Sequence, residues 1–312
     1  MKKQLFNSWS KVLKERWGKR VHKISLDIGA SCPHRENLRT GGCIFCDFLG
    51  GGSGASLRGE TLKEQIEKGF QVLTRRYKTD MAILYFQSYS STNLPLNQLE
   101  EKILYAIEVG TSLGKVKGLS VGARPDQVPE KFLDFLASLA SPDMEIWLEL
   151  GIQTIDPAGL KWLNRGHDFD AIERALGLIK QYEQISLCAH LIAGIPGEGP
   201  KQLAISGKWL CENGARGLKF HPLHVLKNTP LESLYLKKEY EPLSMEEYIK
   251  RVAEALRYIS PDTIIQRLTA DASLPRLVAP EWVSKKMLVI EKLKKYMERQ
   301  NIVQGDLWGK SP

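Results

Sequence analysis

A chain of 312 residues accommodates one large α/β domain with a full core, or two ordinary domains. Apolar content of 43% and charged content of 26% are ordinary for a globular protein, and no stretch approaches the roughly 18 consecutive apolar residues of a membrane-spanning helix, so no membrane association is expected. The net charge of +8 and pI near 9.1 bias the chain toward an acidic partner such as a nucleic acid, the alternative being a well-solvated surface.

Residues 1–20 form a basic N-terminal segment. It has no continuous apolar run and no small-residue cleavage site, so it is not a signal peptide and the expected location is cytoplasmic. Lys2, Lys3, Lys11, Lys14, Arg16, Lys19, Arg20 and Lys23 stand against the single acid Glu15. Lys285, Lys286, Lys292, Lys294 and Lys295 repeat the bias near the other end, as a phosphate-backbone footprint requires. Between these ends, short β-rich runs alternate with helical segments. The patterning predicts strands over residues 22–28, 81–87, 118–122, 144–150, 185–193 and 217–223. It predicts helices over 60–76 and 96–113, from Pro129 onward, and over 170–182 and 200–213. Such alternation, with uniformly apolar strands, marks a parallel sheet covered by helices. Six units before about residue 225 suit an open, partial (β/α)6 TIM-like barrel over 21–229, with its working face at the C-terminal ends of the strands. Residues 230–312 read as a C-terminal α/β extension packed on that barrel. It comprises a helix over 244–259 with a Ser244/Glu247 capping box, a strand over 263–268 and a helix over 281–299.

Three of the five cysteines fall within fifteen residues, in a loop spanning 29–59 that follows the first strand. Cys43 and Cys46 form a CxxC pair, and Cys32 precedes Cys43 by eleven residues. Without a secretion signal, such clustering points to a metal or redox site rather than a disulfide framework. Cys188 and Cys211 lie in apolar runs and read as buried small hydrophobes. Three thiolates suit either zinc or an iron–sulfur cluster. A structural zinc takes four protein ligands, and His34 is the available fourth. The loop opens onto the expected working face, which favours instead a cubane with three protein thiolates and one open iron.

The CP…GGCIFC loop resembles that of the radical S-adenosylmethionine superfamily, in the branch related to the catalytic subunit of Elongator and, within it, the YhcC/YtqA clade. Its long first spacing departs from the commoner CxxxCxxC. In order along the chain, the segments FQSYSSTNLP (86–95), GLSVGARPD (118–126), WLELGIQT (147–154), NRGHDF (164–169), HLIAGIPGE (190–198), KFHPLHVLKNT (219–229) and IIQRLTADA (264–272) agree with it. The resemblance implies a radical SAM fold and a [4Fe–4S] cluster on Cys32, Cys43 and Cys46. It also implies S-adenosyl-L-methionine as cofactor, cleaved reductively to a 5′-deoxyadenosyl radical.

By the same resemblance, Phe45 lies against the adenine; a plain core Phe is the alternative. Where relatives carry a GGE segment this chain has Gln87-Ser88-Tyr89, so the methionyl amino group falls to Gln87 and backbone carbonyls. Gly194, Ile195 and Gly197 resemble the segment near the adenine, where small residues admit a planar base; an ordinary tight turn is the alternative. Arg124 and Glu149 are charges in apolar surroundings, so they either pair with each other or bind the cofactor's carboxylate and ribose. Gln153, Lys219, His221 and His224 are expected around the barrel mouth, facing substrate. His167 reads as a loop-fixing residue, and a zinc trio of His190, His221 and His224 has no HExxH-type spacing to support it.

The resemblance implies an enzyme acting on tRNA, at the C5 side chain of the wobble uridine. It further implies an electron donor such as flavodoxin or ferredoxin and a separate methyltransferase that finishes the product. Radical chemistry on a small molecule is the alternative within that class. A metal-stapled RNA-binding protein without catalysis is the alternative outside it. No second cysteine cluster is present to carry an auxiliary cubane.

Overall fold

A computed structural model describes residues 4–37, 41–270, 272 and 275–312. Lys2, Lys3 and Asp271 of the segments above, and residues 38–40 of the cysteine loop, lie outside the described residues. The strands are β1 (His22–Leu26), β2 (Met81–Phe86), β3 (Lys115–Ala123), β4 (Glu145–Gln153), β5 (Ile185–Ala193), β6 (Ala215–Pro222), β7 (Val225–Leu226), β8 (Ile264–Arg267) and β9 (Leu277–Ala279). The helices are α1 (Trp9–Trp17), α2 (Leu62–Val72), α3 (Leu96–Leu113), α4 (Glu130–Ser138), α5 (Pro157–Trp162), α6 (Phe169–Ile179), α7 (Gln202–Glu212), α8 (Pro230–Leu236), α9 (Met245–Tyr258) and α10 (Lys286–Arg299).

One parallel sheet runs in the order β1-β2-β3-β4-β5-β6-β8, and β7 pairs antiparallel with β9. The partial barrel therefore has seven strands: the strand predicted in the extension pairs with β6 and closes the row. Its two edges approach across the interior, where the Lys23 ammonium on β1 reaches Gln266 Oε1 on β8 at 3.4 Å. A curled half-barrel with helices outside is the result.

Side-chain alternation along the strands gives this sheet two different faces. Leu26, Leu84, Phe86, Leu119, Val121, Leu148, Leu150, Leu187, Leu191, Leu218 and Phe220 belong to the main core packed under the helices. The other face, at every second residue, lines the barrel interior and is graded. Ile83, Trp147 and Cys188 form an apolar floor with Trp9 and Leu13 of α1. The Trp9 ring meets Trp147 edge-on at 5.7 Å, so the basic N-terminal segment plugs the bottom of the barrel. Above that floor come Lys23, Tyr85, Ser120, Glu149, His190 and Lys219. The strands are thus apolar on one side only, and the inner side carries polar residues.

Local signals account for the helix ends. Thr61 and Glu64 form the reciprocal capping box at the start of α2. At α9 only half of the predicted box forms: Ser244 Oγ accepts from the Glu247 amide, while the Glu247 carboxylate pairs with Arg251 at 2.9 Å. None of the helices among the described residues is long and apolar enough to cross a membrane.

Candidate active site

The cysteine loop folds over the C-terminal end of the barrel and closes one side of a cavity of about 460 Å³. Cys32, Cys43 and Cys46 all line it, with Phe45, Gln87, Arg124, Glu149, Gln153, His221 and His224. Ten of the sequence-predicted positions thus meet in one space although they come from within or just beyond four strands, β2, β3, β4 and β6, and from the loop. Lys219 and the Gly194, Ile195 and Gly197 segment do not line it. Lys219 is buried below, against Glu149. Ile195 packs behind the wall in an apolar cluster that Phe45 and Leu223 share. Gly194 and Gly197 both take left-handed backbone (φ 99° and 84°), and a Cβ at Gly194 would press on Leu243 at 3.0 Å.

Backbone bonds tie the loop down. Cys46 N donates to Cys43 O at 3.1 Å, and Ile44 bonds both Leu163 and Leu231, which fixes the CxxC between the turn after α5 and the start of α8. Arg35 donates to the carbonyls of Cys46 and Asp47. Asp47 is buried and paired with Arg276 from the extension. Gln87 bridges the loop and the sheet, giving its amide to Gly51 O and accepting from Ser25 Oγ. Tyr89, itself at φ 50°, covers Gly50 so closely that a Cβ there would lie 2.2 Å from its ring.

Arginines surround the sulfurs. Arg165 Nη1 donates to Cys43 Sγ at 3.0 Å, and Arg124 Nη1 stands 4.0 Å from Cys32 Sγ. Arg124 is held by a two-pronged bond to Asp126 at 2.9 and 3.0 Å. It does not pair with Glu149. Burial, with the neighbouring Cys43 sulfur second, pushes the Cys46 thiol up to about 12. A cation placed beside the Cys46 sulfur would relieve that burden.

His34 is not part of this set: its Nε2 lies 2.8 Å from Asn164 O, in contact with the turn at Gly166. Among the described residues, no three His, Cys, Asp or Glu side chains converge as a single metal ion requires. A cubane instead spreads its thiolates over separate irons, so three cysteines around one cavity that do not converge on a single point suit a cluster better than a zinc ion. His190 and His221 stack loosely at 5.6 Å, while His224 turns to Pro222 O at 3.0 Å.

The cavity floor is a charge network around Glu149, which is almost fully buried. Its carboxylate accepts from Lys23, Lys219 and Ser120, and from His190 Nε2 at 2.9 Å. Burial pushes the Glu149 carboxyl up, but Lys219 and Lys23 together overcome it and hold it well below the usual range. Burial brings Lys23 down to about 7, against the pull of Glu149. The Lys23 ammonium also sits over the rings of Tyr85 at 4.0 Å and Trp9 at 4.6 Å. Burial lowers His190 to about 4 and His221 well below 6.5, so both are neutral near pH 7. Gln153 adds backbone strain at the mouth: it has φ 74° at the point where the β4–β5 register shifts.

Comparison with known proteins agrees with this geometry. The family model for the Radical SAM superfamily matches residues 28–210, and that for the Radical_SAM C-terminal domain matches residues 215–299. The chain belongs to the radical SAM superfamily. It is 32% identical to YtqA of Bacillus subtilis over 94% of this chain and 89% of that protein. It is also 32% identical to YhcC of Escherichia coli K12 over 98% and 96%. A tRNA uridine(34) acetyltransferase of Methanocaldococcus jannaschii is 28% identical over 59% of this chain and 33% of its own length. The fold resembles that of Methanocaldococcus infernus Elp3 lacking its N-terminus, with a TM-score of 0.69 at 18% identity, over 91% of this chain and 64% of that one.

Sequence reasoning missed Arg165, Arg35, Asp47, Arg276, Lys23 and Tyr85. Lys23 had a visible signal, a lone charge in a strand whose alternate residues are apolar. Arg165 had none, because NRGHD reads as a solvent-facing turn.

Proposed function

We propose that this radical SAM protein is an enzyme that acts on tRNA at the C5 side chain of uridine 34, remodelling a carboxymethylaminomethyl group toward aminomethyl. Loss of a hydrogen atom and then one electron from the carboxymethyl carbon, the electron returning to the cluster, allows water to release the two carbons as glyoxylate. The observation that carries the chemical half is the convergence of Cys32, Cys43 and Cys46 on one cavity with Gln87, Arg124 and Gln153. The substrate half is supported by the likeness to the tRNA uridine(34) acetyltransferase. Cys32, Cys43 and Cys46 hold the [4Fe–4S] cluster. With S-adenosyl-L-methionine bound, the pair supplies one-electron cleavage to a 5′-deoxyadenosyl radical.

The chain's own residues bind, orient and shield. Arg124, fixed by Asp126, offers its remaining donors to the cofactor's carboxylate. Gln87 meets the amino group, and Glu149 stands where a ribose hydroxyl can be bound. Phe45, with Ile195 behind it and the Gly194–Gly197 turn alongside, presents an apolar wall to the adenine. Gln153, His221 and His224 meet substrate at the mouth, with Lys219 acting from below through Glu149. Neutral His190 and His221 leave the floor without additional charge. A low-potential donor such as flavodoxin or ferredoxin supplies the electron, and a methyltransferase consumes the aminomethyl product.

The test is anaerobic reconstitution with iron and sulfide, followed by dithionite, S-adenosyl-L-methionine and tRNA bearing the carboxymethylaminomethyl group. Expected are 5′-deoxyadenosine, absent with Cys43→Ala, and loss of that nucleoside with gain of aminomethyluridine. His34→Ala retains its iron. Zinc uptake without iron, lost on His34→Ala, would overturn the proposal in favour of a metal staple.

A further inference from the structure

We propose that Arg165 is a positioning residue that sets the reduction potential of the cluster through its bond to Cys43. This rests on the reading that the three cysteines hold a [4Fe–4S] cluster. Arg165 lies in the turn between α5 and α6 and is only 6% exposed. Its two terminal nitrogens are committed in opposite directions: Nη1 donates to Cys43 Sγ at 3.0 Å and Nη2 to Gly151 O at 2.6 Å. Its own backbone amide is fixed on Leu160 O at 3.1 Å, so the guanidinium is anchored from both ends.

The balance of charge separates Arg165 from the other arginines of the site. Arg124 is neutralised by Asp126, and its nearest approach to a sulfur is 4.0 Å. Arg35 directs donors to backbone carbonyls of Cys46 and Asp47. Among the described residues no carboxylate pairs with Arg165, and its Nε is buried without a partner. A buried guanidinium needs an anion, and the sulfur of Cys43, itself 5% exposed, is the one it touches. Adding one electron to a cluster bearing three thiolates makes the site more negative. A fixed positive charge and an N–H···S bond stabilise that reduced form more than the oxidised one, which raises the potential. The location also suits control by the chain: β4 and the cysteine loop meet at this side chain, and α5 holds the same residue through its backbone amide.

The experiment is a redox titration of the anaerobically reconstituted full chain with dithionite, without S-adenosyl-L-methionine, read by electron paramagnetic resonance of the reduced cluster. Arg165→Met removes both charge and donor. Arg165→Gln removes the charge and keeps an amide donor, on a side chain two bonds shorter. At the wild-type midpoint, the reduced-to-oxidised ratio of Arg165→Met is expected to be about tenfold lower, equivalent to a midpoint about 59 mV lower for a one-electron couple, with Arg165→Gln falling between. An exchangeable-proton coupling on the reduced cluster, sensitive to deuterium oxide, is expected in the wild type and lost in Arg165→Met. A wild-type midpoint in either cluster-loaded variant overturns the proposal. Should Arg165→Met fail to take up iron, Arg165→Gln decides alone by the same criterion. A wild-type chain that binds no cluster sinks the underlying reading instead, and is recognised by its absent absorption before any titration begins.

Discussion

Glu149 is a single carboxylate bonded to two ammonium groups, an imidazole and a hydroxyl in the buried middle of the barrel. Removing one member of such a set leaves the others buried and uncompensated, which costs more than the pair contributes when whole. Glu149→Leu is therefore expected to lower the unfolding free energy by about 3–5 kcal/mol, measured by urea denaturation of the cluster-free protein. Adding Lys219→Met to that variant should restore part of the loss; a further drop would contradict the network. Acid provides a second reading of the same interior. His190 and His167 bind a proton near 6.5 when unfolded and only near 4 when folded, burial being the first cause for both. Between those values the unfolded chain holds more protons, so stability is expected to fall as pH drops from 6.5 to about 4. His190→Asn should flatten part of that slope, and a denaturation midpoint constant across the window would refute the assignment. At this scale the cysteines were legible because spacing alone marks them. Asp47 and Arg165 were not, because a charge declares its partner only after folding brings the partner from more than a hundred residues away, as with Asp47–Arg276 and Arg165–Cys43.

At the scale of elements, the alternation of strands and helices carried the barrel, since hydrophobic periodicity is a local property. What escaped it were pieces too short to show a period. β7 and β9 have two and three residues and exist because they pair with each other. α1 is held by Trp9 and Leu13 at the barrel floor, although its sequence reads as a basic segment. The strand at Ile264–Arg267 was visible, but its place in the sheet was not: joining β6 required the chain to return after α9. That return has a consequence for any division of the chain near residue 229. A chain ending there would expose the β6 edge and strip α9 from α7, leaving unpaired strand groups beside bare apolar surface. Such a truncation is expected to aggregate, or to elute as an expanded species without a cooperative urea transition. A monomer with a sharp transition would show instead that the six-strand barrel stands alone.

Charge at the scale of the whole molecule is distributed differently from its order in the sequence. The two basic ends are brought together: Gln304 N donates to Leu5 O at 2.9 Å, Asn7 N donates to Gln304 Oε1 at 2.9 Å, and the Lys294 ammonium stands over the Phe6 ring. α1 closes the bottom of the barrel, whereas the cavity opens at the C-terminal ends of strands up to nine residues long. At about 3.3 Å per residue, the two ends of the barrel are roughly 30 Å apart. The positive excess read at the N-terminus therefore lies at the far end from the mouth to which a uridine must be delivered. Near the mouth, Lys227 is exposed directly after β7, next to Leu226 of the cavity wall, with its amide on Arg276 O at 2.9 Å. If RNA enters from this side, Lys227→Glu is expected to weaken tRNA binding and to reduce the slope of log affinity on log salt by about one. Lys14→Glu with Lys19→Glu, at the plugged end, should change affinity less than about twofold at the same ionic strength, because charges beyond a Debye length of roughly 10 Å are screened. Filter binding across a salt series measures both. The reverse order, with α1 dominant and Lys227 silent, would mean that the tRNA body wraps the plugged end, and that only its anticodon loop reaches round to the cavity.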